Sequence, residues 1–107
     1  MNGKKVAAYP AHNTLSVNDN DISIGRDPTR GRTFNGGIAE VRLSNAALYD
    51  ADFTPLPRLV KLPTTVLLLP LNEGSGTVAR DTSGHGNNGV ISDGEWVTVA
   101  KNEFLMK

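Results

Sequence analysis

The chain has 107 residues, with 11 Lys or Arg against 11 Asp or Glu and no cysteine. A chain of this length builds one small domain with a single core. Zero net charge excludes a global field that would steer nucleic acid or an anionic membrane, and the absence of cysteine excludes a disulfide scaffold and thiol chemistry.

Asn2 and Gly3 form a hairpin dipeptide, and residues 4–9 leave it as a strand. Only Met1 precedes that turn, and no apolar run of the signal-peptide kind follows it. No stretch approaches the roughly 20 apolar residues of a membrane helix. Residues 10–13 read as a loop, 15–17 as a short alternating strand, 18–21 as a turn and 22–25 as a further strand. Residues 26–32 carry three arginines with Pro28 and Gly31. With no aromatic residue between them for base stacking, they read as a solvated hairpin loop rather than a phosphate site.

Residues 37–43 alternate, with Ala39, Val41 and Leu43 on one face and Ile38, Glu40 and Arg42 on the other. That is the period of a half-buried strand. Ser44 or Asn45 can cap one helical turn over residues 46–49, with Leu48 and Phe53 covering the end of the core. The Pro-rich residues 52–63 are the one linker-like segment.

Residues 66–97 organise the rest. Val66, Leu67, Leu68 and Leu69 are too few for a helix and suit a strand buried on both faces. Gly74 to Ala79 matches G-x-G-x-x-A, but the glycines and asparagines of residues 81–89 break any helix that a dinucleotide site needs, so these glycines serve turns. Residues 77–80, 90–91 and 96–99 complete the set as β-rich pieces.

Asp81, Ser83 and Gly86 begin like an oxygen-donor calcium loop. The EF-hand pattern fails, since His85 holds the fifth position and Ser92 the twelfth. Two readings stand: a calcium ion bound beside Asp81, Asn87 or Asn88, or Asx- and ST-type turn hydrogen bonds from Asp81 and Ser83. His12 and His85 have no accompanying nucleophile motif, and Glu73 and Glu95 are not placed on one cleft by any pattern. A non-enzymatic chain is expected. Tyr9, Tyr49 and Trp96 can stack on a sugar ring, although the strand around Trp96 suits a core residue better.

The string LLPLNEGSGTVARDTSGHGNNGVI (residues 68–91) resembles the opening of a laminin G-like jelly roll, a concanavalin A-like and pentraxin-related domain. FNGGIAEVRLSNAALYDADF (residues 34–53) resembles the closing strand of such a domain with its tail. NGKKVAA (residues 2–8) and DISIG (residues 21–25) resemble strands shortly before that closing strand. The order is unusual, because closing strands precede opening strands.

The resemblance implies an all-β fold, an antiparallel β-sandwich or partial jelly roll. Residues 1–53 correspond to the C-terminal part, 54–64 to a connector and 65–107 to the N-terminal part of one small domain. Residues 54–64 are then either a linker between two partial copies or a connection within one compact unit, in which residues 37–43 pair with 65–69. The compact pairing is the favoured reading. The long middle section of such a domain has no counterpart here.

The resemblance further implies a lectin-like module of a secreted or surface protein that binds carbohydrate or an extracellular protein, with calcium as cofactor. The metal candidates are Asp81, Ser83, Asn87, Asn88 and Glu40, and the ligand-contact candidates are Trp96, Tyr9 and His85. A homo-oligomer or a neighbouring domain is the partner expected to cover the open sheet. The alternative is a structural spacer of a larger extracellular glycosidase or adhesin.

Overall fold

The computed structural model describes residues 2–8, 21–27, 30–100 and 103–107. Among them every regular element is a strand, in antiparallel pairs. The chain is all-β, as expected. β1 (Arg26–Asp27) pairs with β2 (Arg32–Thr33), and β3 (Val41–Ser44) with β4 (Thr65–Leu69). β5 (Val78–Ala79) pairs with β6 (Gly89–Val90), and β7 (Trp96–Ala100) with β8 (Glu103–Met106). No helix among the described residues is long and apolar enough to cross a membrane.

The centre is the β3–β4 pair, in the register Val41 opposite Leu69, Arg42 opposite Leu68 and Leu43 opposite Leu67. The compact pairing expected of these two segments is therefore present. β4 is nearly all apolar because both of its faces are covered, with Thr65, Leu67, Leu68 and Leu69 all buried. Leu67, Leu69, Leu71 and Ala79 form the core, and Ile38, Val41, Leu43, Ile91, Trp96 and Met106 close round it. Leu71 stays in this core at φ 51°, a left-handed conformation that a leucine rarely adopts. The Pro-rich connector does not swing free. Glu40 accepts from the Leu59 N–H at 2.8 Å and lies 3.3 Å from the Arg58 guanidinium, while Arg42 donates to the Val60 carbonyl at 3.1 Å.

The strand alternation expected over residues 37–43 changes phase. Ile38 packs on the core with Val41 and Leu43, instead of lying with Glu40 and Arg42. The cause is a change of partner. Ile38 exchanges two backbone hydrogen bonds with Met106 of β8, at 2.7 and 2.9 Å, whereas β3 pairs with β4 only from Val41 onward. β8 itself was not foreseen.

The helical turn expected near residues 46–49 does not form, and a bend at Asn45 and Ala46 leads into irregular backbone. The Asn45 N–H donates to the Thr64 carbonyl at 2.8 Å, which extends the β3–β4 ladder, and the Ser44 hydroxyl is buried without a partner rather than capping. Leu48, expected to cover the end of the core, is half-buried and is not among the described hydrophobic residues that pack on it. Phe53 stacks on Tyr49 outside the core.

Residues 4–8 and 22–25 are extended or bent but form no strand. The Asn2–Gly3 turn does form, with φ 54° and 80°, the signs of a primed turn. A Cβ on Gly3 would collide with the Phe53 carbonyl, so only glycine allows this approach. The arginine-bearing segment is the solvated hairpin expected, with Arg30 turned onto its own Asp27 at 3.9 Å. The strand expected over residues 15–17 lies outside the described residues, as do His12 and Tyr9.

Candidate functional site

The most connected polar cluster is the loop between β5 and β6. β4 has two edges. One pairs with β3, and the other presents the polar groups of Val66 and Leu68, an open edge that a sheet must satisfy or cover. Here a loop covers it largely with side chains. Asp81 Oδ1 accepts the Leu68 N–H at 2.9 Å, and the Thr82 N–H donates to the Leu68 carbonyl at 2.8 Å, so this residue is paired as a neighbouring strand would pair it. The Val66 carbonyl accepts from the Asn87 side-chain amide at 2.9 Å.

The loop keeps its shape through the same carboxylate. Asp81 Oδ1 also takes the Ser83 N–H at 2.9 Å, while Oδ2 takes the Asn87 N–H at 2.9 Å and the Ser83 hydroxyl at 2.8 Å. Asn88 Oδ1 accepts the Asp81 N–H at 2.9 Å. Gly84 and Gly86, at φ 93° and 72°, supply the left-handed turns that bring Asn87 back to Asp81. Burial pushes the Asp81 carboxyl up, but the Leu68, Ser83 and Asn87 N–H groups and the Ser83 hydroxyl outweigh it and lower its pKa from 3.8 to about 2.

The structure thus brings Asp81, Ser83, Asn87 and Asn88 together, as the sequence suggests, but occupies the lone pairs of the Asp81 carboxylate. A carboxylate offers about four acceptor positions, and four donors fill those of Asp81. Glu40 is engaged with Arg58 and Leu59. Among the described residues no group of three or more His, Cys, Asp or Glu side chains is arranged to hold a metal ion. Calcium needs six to eight oxygens with lone pairs to give, and in this arrangement the Asp81 carboxylate has none to offer. A thermal melt in millimolar calcium is therefore expected to superimpose on one in chelator, and a calcium-dependent rise in Tm would show that the loop rearranges to bind the ion.

Ser83 and His85 complete the loop. Ser83 is 1% exposed, and its proton goes to the charged Asp81 oxygen, the shortest of its contacts. Its oxygen accepts from the His85 N–H at 3.2 Å and lies 3.1 Å from His85 Nδ1, where the tautomer of the ring sets which group donates. The Ser83 hydroxyl is thus held by the Asp81 carboxylate, the Val66 carbonyl and the His85 N–H as part of the loop. Glu73 accepts the Arg80 N–H at 2.7 Å.

Trp96 lies apart from this loop. It is half-buried against the core and donates through Nε1 to the Gly76 carbonyl at 3.0 Å. No helix starts in the G-x-G-x-x-A stretch, and its last two residues are β5. Thr82 was missed by sequence reasoning, because its role depends on a strand fourteen residues away.

Among the described residues, two open surfaces stand out. A cleft of about 550 Å³ has Ile38, Leu69 and Met106 among its lining, with the exposed Ile22, Phe34 and Val90 also along it. The second is a depression beside the Tyr49–Phe53 stack. The chain matches no family model, no curated protein and no solved structure.

Proposed function

We propose that this chain is a non-catalytic, lectin-like binding module of laminin G-like type, from a secreted or surface protein, that binds carbohydrate or an extracellular protein. The observation that carries this reading is the division of labour between its polar and apolar groups. The polar side chains of the distinctive loop are spent on the edge of β4, while large apolar side chains such as Ile22, Phe34 and Val90 stand 60–83% exposed along an open cleft. Exposed apolar surface gathered in this way marks interaction sites. The apposition of β3 and β4 supports the resemblance to a closing and an opening strand in one sheet.

A structural spacer is the competing reading, favoured by the self-sufficiency of the Asp81 loop, which leaves no acceptor of that carboxylate for a ligand. An array of plant, algal and animal glycans separates the two. Signal that free oligosaccharide competes away supports the lectin-like module; silence across the array leaves the spacer.

A further inference from the structure

We infer that Asn35 is a site of spontaneous modification, where the Gly36 amide turns the asparagine side chain into a carboxylate through a succinimide, whatever the cleft binds. The chain has three Asn–Gly steps, at Asn2, Asn35 and Asn88. Glycine after asparagine leaves the attacking nitrogen unshielded by a side chain, so each step has the chemistry. The fold decides which of them can use it.

Ring closure needs two freedoms. The asparagine must swing its Cγ over the following peptide nitrogen, and that peptide must turn to meet it. At Asn88 both are taken. Its Oδ1 accepts the Asp81 N–H at 2.9 Å. The Ile91 N–H donates to the Thr77 carbonyl at 2.8 Å, which sets the phase of the β5–β6 ladder and makes Ala79 and Gly89 a hydrogen-bonded pair. The Gly89 nitrogen is therefore held in the sheet. The turn at Asn2 is clamped by the Phe53 N–H, which donates to the Gly3 carbonyl at 2.7 Å.

Asn35 is exposed, and neither its side chain nor the Gly36 N–H has a hydrogen-bond partner among the described residues. The segment hangs between two anchors. On one side the Phe34 N–H donates to the Gly25 carbonyl at 2.8 Å, and on the other Ile38 is joined to Met106. Only Asn35, Gly36 and Gly37 lie between, and two glycines give this bridge the backbone freedom that the ring needs. The step balances without redox chemistry. Base removes the Gly36 N–H proton, the nitrogen bonds to Asn35 Cγ, and the Cγ–Nδ2 bond breaks with release of ammonia. Water then opens the ring at either carbonyl, to aspartate or isoaspartate. Either product sets a negative charge beside the cleft that Phe34 and Gly36 line. Isoaspartate also lengthens the bridge by a methylene between its fixed ends.

The test incubates the full folded chain in mildly alkaline buffer, beside a sample in concentrated guanidinium chloride, until the unfolded sample has reacted at both interior steps. Trypsin then releases residues 33–42, with Asn35 as their single asparagine, and residues 81–101, with Asn87 and Asn88. Mass spectrometry reads the exchange of NH2 for OH, and electron-transfer fragmentation assigns it to a residue and separates isoaspartate from aspartate. In the folded chain Asn35 should react at least about tenfold faster than Asn88, because several hydrogen bonds must open before Asn88 can close its ring. In guanidinium chloride the two rates should converge. Mildly acidic buffer should slow the reaction at Asn35, since the Gly36 nitrogen then keeps its proton. Equal rates at Asn35 and Asn88 in the folded chain, or residues 33–42 left unchanged while the unfolded sample reacts, would overturn the assignment.

Discussion

Asp81→Ala is expected to lower the unfolding free energy by about 3–5 kcal/mol, among the largest effects available in this chain. The substitution removes one acceptor from four donors: the N–H groups of Leu68, Ser83 and Asn87 and the Ser83 hydroxyl. The Leu68 N–H suffers most, because Leu68 is buried and water cannot easily replace the carboxylate. A domain of this size has a total stability of roughly 5–15 kcal/mol, so the variant stands close to unfolding.

Asp81→Asn should cost less, about 2 kcal/mol, since one oxygen survives while the new amide faces the Asn87 N–H, donor against donor. Urea titrations read both values from the shift in midpoint at constant slope. If Asp81→Ala moved the midpoint no more than a surface substitution does, the edge-covering role of the loop would be wrong.

The same carboxylate sets an acid limit. Its folded pKa is about 2 against an ordinary 3.8, so the folded state holds fewer protons than the unfolded state between these values. The stabilisation from Asp81 is fully present above about pH 4 and is lost as pH falls through 2. Wild type should therefore lose part of its stability from pH 4 to 2, and Asp81→Asn should lack that portion of the slope.

Much of this arrangement was legible in the chain, and what escaped did so for physical reasons. The apolar run of β4 reports burial directly, so that strand follows from local pattern, whereas its pairing with β3 was implied only by the family resemblance. The turn chemistry of residues 81–89 likewise announces a tight loop. What the loop does with Asp81 cannot be read locally, because the side chains that bind calcium also accept backbone N–H groups. The decision lies with Leu68, thirteen residues earlier, whose N–H needs a partner on the open side of β4.

Long-range pairing also defeated the local reading elsewhere. Ile38 bonds to β8 while Val41 bonds to β4, so the phase of the alternation breaks where the partner changes. Residues 46–49 have the composition for a helical turn, yet the bond from Asn45 to Thr64 keeps the preceding backbone extended. Tyr49 and Phe53 stand four residues apart, a spacing that brings side chains together on a helix, and they meet here across a bend instead.

Trp96→Ala is the second substitution with a large expected effect, about 3 kcal/mol of stability, and it separates folding from binding. Trp96 is half-buried against the core and bonded to the Gly76 carbonyl, so truncation removes apolar contact and a hydrogen bond and leaves a void beside the central leucines. In a domain this small that loss lowers Tm by roughly 10–20 °C. Trp96→Phe keeps most of the contact and loses the Nε1 bond, about 1 kcal/mol.

An exposed sugar platform at Trp96 would give the opposite pattern, with binding lost and Tm unchanged. Measuring Tm and glycan binding on the same preparations distinguishes them. If binding by Trp96→Ala recovers to the wild-type level on cooling well below its Tm, the tryptophan holds the fold and the ligand sits elsewhere. A fully folded Trp96→Ala that binds nothing would place the site on this strand.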